Sequence, residues 1–68
     1  MNTEDKLKII GNYGNWYEWG DQTSGCGISL IGSLFKTYMV GAGDTSKDAI
    51  NNLYDYLKQE MIDNINEH

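Results

Sequence analysis

Apolar residues recur every three or four positions through the last third of the chain. The set comprises Ile50, Leu53, Tyr54, Leu57, Met61 and Ile65, with Tyr56 and Ile62 at its flanks. This spacing places the apolar side chains on one face of an α-helix and the polar residues on the other. Thr45 lies just before the pattern and Asp48 follows three residues later, which resembles a capping box. We therefore predict an amphipathic helix over residues 46–65.

Three runs rich in aliphatic, β-branched and aromatic residues precede this helix. They cover residues 16–19, 26–31 and 34–40, and turn-forming residues bound each of them, as is typical of strands. Gly32 and Ser33 predict a two-residue hairpin turn between the second and third runs. The glycines that follow residue 40 are expected to end the third strand. Short links of this kind predict antiparallel pairing.

The first eleven residues fit two structures. Acidic residues at positions 4 and 5 and Gly11 at a helix C′ position favour a short helix, whereas residues 6–9 alternate as a strand does. We predict the helix. The chain is then a single α+β domain over residues 1–68, with a short N-terminal helix, a three-stranded antiparallel sheet and a long C-terminal amphipathic helix packed on one face.

The charge balance narrows the class of partner. The 68 residues include ten acidic residues, five lysines and no arginine, and the formal net charge is −5. Proteins bind phosphate backbones through clustered lysine and arginine, so we expect no direct nucleic-acid binding. The acidic balance either serves only solubility or suits a partner with a basic surface, such as a nucleic-acid-binding or defence enzyme.

The apolar runs and the cysteine content of the chain limit where the protein is located and how it is stabilised. No apolar stretch approaches the roughly 20 residues of a membrane span, and a lone cysteine without a signal peptide predicts a cytoplasmic protein, in the cytoplasm of a bacterial host. Cys26 cannot form a disulfide within one chain, and one cysteine with His68 cannot complete a zinc site. A core this small therefore requires good local packing or added stability from homo-oligomerisation.

The residues with reactive side chains do not form a catalytic pattern. Cys26 has no histidine, basic residue or helix N-terminus beside it in sequence, so we expect it to be a structural thiol. Acidic pairs such as Glu18 with Asp21 come without an apolar pocket that would shift a pKa. We predict no enzymatic activity, no cofactor and no metal.

An aromatic cluster provides the candidate binding residues. Trp16, Tyr17 and Trp19 lie within four positions, and Trp and Tyr are the residues most often found as binding anchors. On a strand, Trp16 faces one side while Tyr17 and Trp19 face the other. We predict that these three residues bind a protein partner, with Asp55 and Asp63 as charges at the rim.

A second set of residues offers a ligand-binding alternative. Gly41, Gly43 and Thr45 lie where a strand meets a helix, and backbone N–H groups at such a point can bind an anion. The spacing is not that of a P-loop or of a dinucleotide fingerprint. In this alternative, several copies build a pocket that sequesters a nucleotide or second messenger.

Residues 38–53 also resemble a known unit. The run Tyr-Met-Val-Gly-Ala-Gly-Asp-Thr-Ser-Lys-Asp-Ala-Ile-Asn-Asn-Leu, a strand followed by Gly-Asp-Thr and a charged helix, resembles the strand-to-helix unit of HicB-type antitoxins. The resemblance implies a small sheet packed on a helix and a partner ribonuclease that the protein neutralises. The Pro-Gly-Cys segment that the family carries before this unit is absent here.

In size and acidity the chain is similar to small inhibitors encoded by bacteriophages. The function predicted from the sequence is a non-enzymatic protein-binding module, a phage or mobile-element inhibitor that blocks a bacterial host or defence protein. The ligand-sequestering oligomer and the HicB-like antitoxin stay open as alternatives.

Overall fold

The computed structural model describes residues 1–21 and 23–66, and it has the predicted α+β architecture. The elements in chain order are α1 (Thr3–Gly11), β1 (Asn15–Asp21), β2 (Gly25–Ile31), β3 (Tyr38–Gly43) and α2 (Ser46–Asn66). The short N-terminal helix and the long C-terminal helix packed on the sheet are thus confirmed, together with the three antiparallel strands.

The sheet is a meander with β2 in the centre. Both neighbours pair antiparallel to β2, so that Trp19 lies opposite Gly27 and Tyr38 lies opposite Ile31. Residues directly opposite one another share a face of the sheet, and successive residues alternate between faces. One face, which we call the inner face, therefore carries Cys26, Ile28 and Leu30 of β2.

Both helices pack on the inner face and enclose the core there. The core comprises Ile10 of α1, Cys26, Ile28 and Leu30 of β2, Met39 of β3, and Ala49, Ile50, Leu53 and Leu57 of α2. The helical stripe predicted from the spacing is buried in its first two turns. Farther on, Ile62 and Ile65 are exposed, because a 21-residue helix is about 31 Å long and extends beyond strands of six or seven residues.

The predicted bounds of the third strand and of its hairpin are wrong. Residues 34–37 lie outside β3, and six residues connect β2 and β3 in place of a two-residue turn. Phe35 turns inward against the core, where its ring centroid lies 5.6 Å from that of Tyr13. Lys36 forms an ion pair with Glu60 at 3.1 Å. These long-range contacts of Phe35 and Lys36 keep the segment out of the sheet.

Gly41 and Gly43 were expected to end the third strand, but both lie inside β3. A Cβ atom at Gly41 would overlap the carbonyl oxygen of Ala49 and the backbone nitrogen of Leu53. At this position glycine permits close packing between the α2 backbone and the strand. The local sequence does not distinguish such a glycine from one that forms a turn.

Side chains cap both helices. Asn2 accepts a hydrogen bond from the Asp5 backbone N–H at 2.9 Å, and Thr45 accepts one from the Asp48 N–H at 3.1 Å. The Thr45 cap is as predicted. Gly11, however, is the last helical residue of α1, and the helix ends at Asn12 in a right-handed conformation, because the chain continues directly into a hydrogen-bonded turn.

Candidate protein-binding face

In the part of the chain that the structure describes, no helix covers the other side of the sheet, which we call the outer face. Its residues are Asn15, Tyr17, Trp19 and Asp21 of β1, Gly25, Gly27, Ser29 and Ile31 of β2, and Tyr38, Val40 and Ala42 of β3. Tyr17 is 58% exposed, Trp19 50%, Tyr38 57% and Ile31 41%. Three large aromatic side chains thus stand on one three-stranded surface in contact with solvent.

Two of the three aromatic side chains, those of Trp19 and Tyr38, are held in place by the centre of the sheet. A Cβ atom at Gly27 would overlap the Trp19 indole, so the ring lies directly over this glycine. The Trp19 Nε1–H donates a hydrogen bond of 2.9 Å to Ser29 Oγ, and Ser29 Oγ shares a second bond of 3.1 Å with the Tyr38 hydroxyl. Ser29 is only 6% exposed beneath these two rings. The network joins all three strands and limits the motion of Trp19 and Tyr38 before any partner binds.

The outer face is almost free of charge, although the chain is acidic. Among the residues that the structure describes, Asp21 is the one charged residue at an outer-face strand position, and it lies at the end of β1. Its Oδ1 accepts hydrogen bonds from the backbone N–H and hydroxyl groups of both Thr23 and Ser24, at 2.7–2.9 Å. These bonds, that of the Thr23 hydroxyl foremost, hold the pKa of the Asp21 carboxyl well below its ordinary value.

The predicted anchors separate into two groups. Tyr17 and Trp19 lie together on the outer face, as alternation requires. Trp16 lies on the inner-face side, where its Nε1 is 3.5 Å from the position of a Cβ atom on Gly11, and it is 38% exposed. The structure therefore gives Trp16 a contact with the end of α1 and does not bring it together with the other two.

The predicted rim charges lie on a different side of the molecule. Asp55 and Asp63 are both exposed on α2. Asp55 is two residues from the buried Leu53, about 200° around the helix, so it points away from the sheet. Asp63 accepts a hydrogen bond of 3.0 Å from Gln59. Since α2 covers the inner face, neither carboxylate borders the outer face.

The two glycines of the ligand-binding alternative, both in β3, have a packing role in this chain. Gly41 and Gly43 both lie against α2, since a Cβ atom at Gly43 would contact Asp48 and Ala49. The Thr45 hydroxyl is occupied as the cap of α2. Within residues 1–21 and 23–66, the structure contains no pocket. The alternative places its pocket between several copies, so it stays a prediction.

Four further residues that shape the outer face were not among those predicted from the sequence. These are Gly27, Ser29, Ile31 and Tyr38. Tyr38 lies in the third predicted strand, and its face follows from alternation along that strand. The roles of Gly27 and Ser29 depend on the register in which the strands pair, and no local pattern of the sequence specifies that register.

Two polar contacts tie the strands to α2. The Ser46 hydroxyl donates a 2.6 Å hydrogen bond to Glu18 on the inner side of β1, and the Asn52 side chain donates to the carbonyl oxygen of Ala42 on the edge strand β3. A carboxylate at the start of α2 is favourable because the helix dipole is positive there. The Asn52 bond occupies one acceptor of an edge strand, which limits pairing with another chain.

The remaining reactive groups are structural or dispersed. Cys26 is buried and its Sγ–H donates to the Asp21 carbonyl at 3.5 Å. In the described part of the chain, no three His, Cys, Asp or Glu side chains are grouped so as to hold a metal ion. None of the described helices has the length and apolarity to cross a membrane.

Residues 38–53, which resemble the HicB-type unit, form β3, the following turn and the first turns of α2, and the antitoxin role that the resemblance implies stays a prediction. No known protein family, curated protein or solved structure matches the chain.

Proposed function

We propose that this chain is a non-enzymatic protein-binding module that binds a partner protein through its outer face. The observation that carries the proposal is the exposure of Tyr17, Trp19 and Tyr38 side by side on an uncovered sheet. Aromatic residues are enriched among the residues that dominate binding energy, and charged residues are depleted at the centre of interfaces. The outer face has both properties.

The fixed positions of the rings also support this role. Association costs free energy for every side chain that loses rotational freedom, about 0.5–1.5 kcal/mol for a flexible one. Trp19 and Tyr38 are already restrained through Ser29, so this cost is partly met in the free protein. More specifically, we propose that the module blocks a bacterial host or defence enzyme. This requires that the outer face cover a working surface of that enzyme.

The partner is expected to present a neutral, apolar surface to the outer face, in place of the basic surface that the net charge of the chain suggests. The acidic residues of α1 and α2 lie on the helical side, away from the contact, so they add little to the bound state. Electrostatic attraction over such distances is screened at physiological salt, where the Debye length is about 8 Å. Binding should therefore depend weakly on salt concentration.

The test is recovery of partner proteins from bacterial lysate with three tagged forms of the full chain. Tyr17→Thr combined with Tyr38→Thr removes two rings from the outer face and retains residues that favour strands. Asp55→Asn combined with Asp63→Asn alters an equal number of exposed residues on α2, and serves as the matched control. We expect the control to recover the wild-type partner and the tyrosine variant to lose it, with both variants folded by circular dichroism. Retention of the partner by the tyrosine variant would refute the proposal.

A further inference from the structure

Covering the outer face would add stability to the free protein. Chains below about 70–80 residues seldom obtain more than roughly 3–5 kcal/mol of stability from one core. Here nine buried apolar residues form that core, and Cys26 is the only cysteine. Small domains gain the remaining stability from disulfides, metals or association, and association is the route for which this chain exposes a surface.

The outer face is suited to a second copy of itself. Two sheets pack face to face about 10 Å apart with their strands within about 30° of each other. A two-fold axis through the face would place β2 of one copy against β2 of the other, each flanked by the rings of β1 and β3. The indole lying over Gly27 fills the space above the central strand, which leaves a broad surface without a deep groove.

Charge favours this arrangement over other contacts between copies. Each chain carries a formal charge of −5, so two copies repel one another wherever their acidic surfaces meet. In the described part of the chain, the acids lie on the helices, in turns and at Glu18 on the inner side, and the outer face carries only Asp21 at its end. The outer face is thus the surface on which two copies can meet with least opposition.

The exposed area sets the largest contact that two outer faces can make. A fully exposed aromatic side chain presents about 150–250 Å². Tyr17, Trp19 and Tyr38 are on average half exposed, so together they leave roughly 250–400 Å² in water. With Ile31 and the small residues of β3, the face approaches 500 Å² per copy, or about 1,000 Å² for a pair, which is the lower limit for a specific interface. Interfaces at this lower end of the size range are typical of weak or transient complexes.

We propose that, in the absence of its partner, the protein forms a weak two-fold dimer in which two copies cover each other's outer faces. This inference rests on the proposed function, because the same face binds the partner. Dimer formation and partner binding are then mutually exclusive. The weak dimer protects the aromatic surface from indiscriminate contacts and releases it when a tighter partner competes.

The experiment is sedimentation velocity of the purified full chain over the micromolar to low-millimolar range in which weak complexes dissociate. Tyr17→Glu places a charge in the outer face. Ile62→Glu places the same charge on α2, at a residue that is 45% exposed. We expect the wild type and Ile62→Glu to dimerise with rising concentration, and Tyr17→Glu to raise the dissociation constant at least about tenfold. A wild type that stays monomeric, or a dimer lost only in Ile62→Glu, would overturn the inference.

Photo-crosslinking separates this inference from the proposed function. Benzoylphenylalanine in place of Tyr17 should give a crosslinked product of twice the chain's mass in purified protein. A crosslink to a different protein in cells, with no product of twice the mass at any concentration, would overturn the dimer and leave the proposed function standing. No crosslink in either setting would overturn both.

Discussion

Substitution of Gly41 by alanine tests the contact on which the whole arrangement depends. The new Cβ atom would overlap the backbone of Ala49 and Leu53 and would lie 2.6 Å from Leu53 Cβ. Non-bonded carbon atoms require about 3.5 Å or more, so α2 would have to move away from β3 by roughly 1 Å. No side-chain rotation relieves the overlap, because the obstructing atoms are those of the helix backbone.

The expected loss follows from these contacts. Overpacking of a core costs about 1–3 kcal/mol, and the upper end applies to a rigid backbone contact. Replacement of glycine also stabilises the folded state by about 0.4–1 kcal/mol through the entropy of the unfolded chain. The net loss is about 2 kcal/mol, which lowers the melting temperature of a domain of this size by roughly 8–16 °C.

Gly11→Ala provides the matched control. Gly11 ends α1, and a Cβ atom there would lie 3.5 Å from Trp16 Nε1, an ordinary contact. Alanine in a helix is favoured over glycine by up to about 1 kcal/mol, so this variant should be neutral or stabilised. Urea unfolding followed by circular dichroism at pH 7 measures both changes. A loss below about 0.5 kcal/mol in Gly41→Ala, or equal losses in both variants, would contradict the close approach of α2 to β3.

Three further predictions concern the outer face and its surroundings. Gly27→Ala should lift the Trp19 indole from the sheet and break its bond to Ser29, with a loss of about 1 kcal/mol and a red shift of tryptophan fluorescence; an unchanged spectrum would contradict the position of the ring. Asp21→Asn should lower the melting temperature at pH 7. Because the folded pKa of Asp21 is depressed, its contribution is present above its unfolded pKa of about 4 and is lost as the pH falls below that value. The difference from wild type should therefore shrink below about pH 4, and a constant difference would argue against the role of the ionised carboxylate. Asn52→Ala should remove the bond to the β3 carbonyl and cost about 0.5–1.5 kcal/mol in urea unfolding, whereas unchanged stability would mean that the bond contributes nothing.

The outer face shows where sequence reasoning succeeded. Alternation placed Tyr17 and Trp19 on one side of a strand and Trp16 on the other, and the structure has this arrangement. The predicted two-residue hairpin would have paired Ile31 with residue 34, whereas the structure pairs Ile31 with Tyr38. The shift is four residues. Because side chains alternate with a period of two, an even shift leaves every residue of the third strand on its original face.

The errors concern residues whose partners are distant in sequence. Leu34, Phe35 and Lys36 have the composition of a strand, but Phe35 and Lys36 contact Tyr13 and Glu60. In Lys36, bonds to the Tyr56 hydroxyl and the Glu60 carboxylate raise the pKa of the ammonium group. Such contacts are formed with α2 and with the segment before β1, and no local pattern reports them.

By itself, the sequence determined the elements, their order and the amphipathic face of α2, because helical and strand periodicities are local properties of the chain. Only the tertiary structure decided that the face bearing Tyr17 and Trp19 is the uncovered one. That outcome depends on Gly41 and Gly43, which let α2 pack against the opposite side of β3. The tertiary structure also decided that Gly27 and Ser29 hold the Trp19 ring, since strand register arises from contacts between residues far apart in the chain.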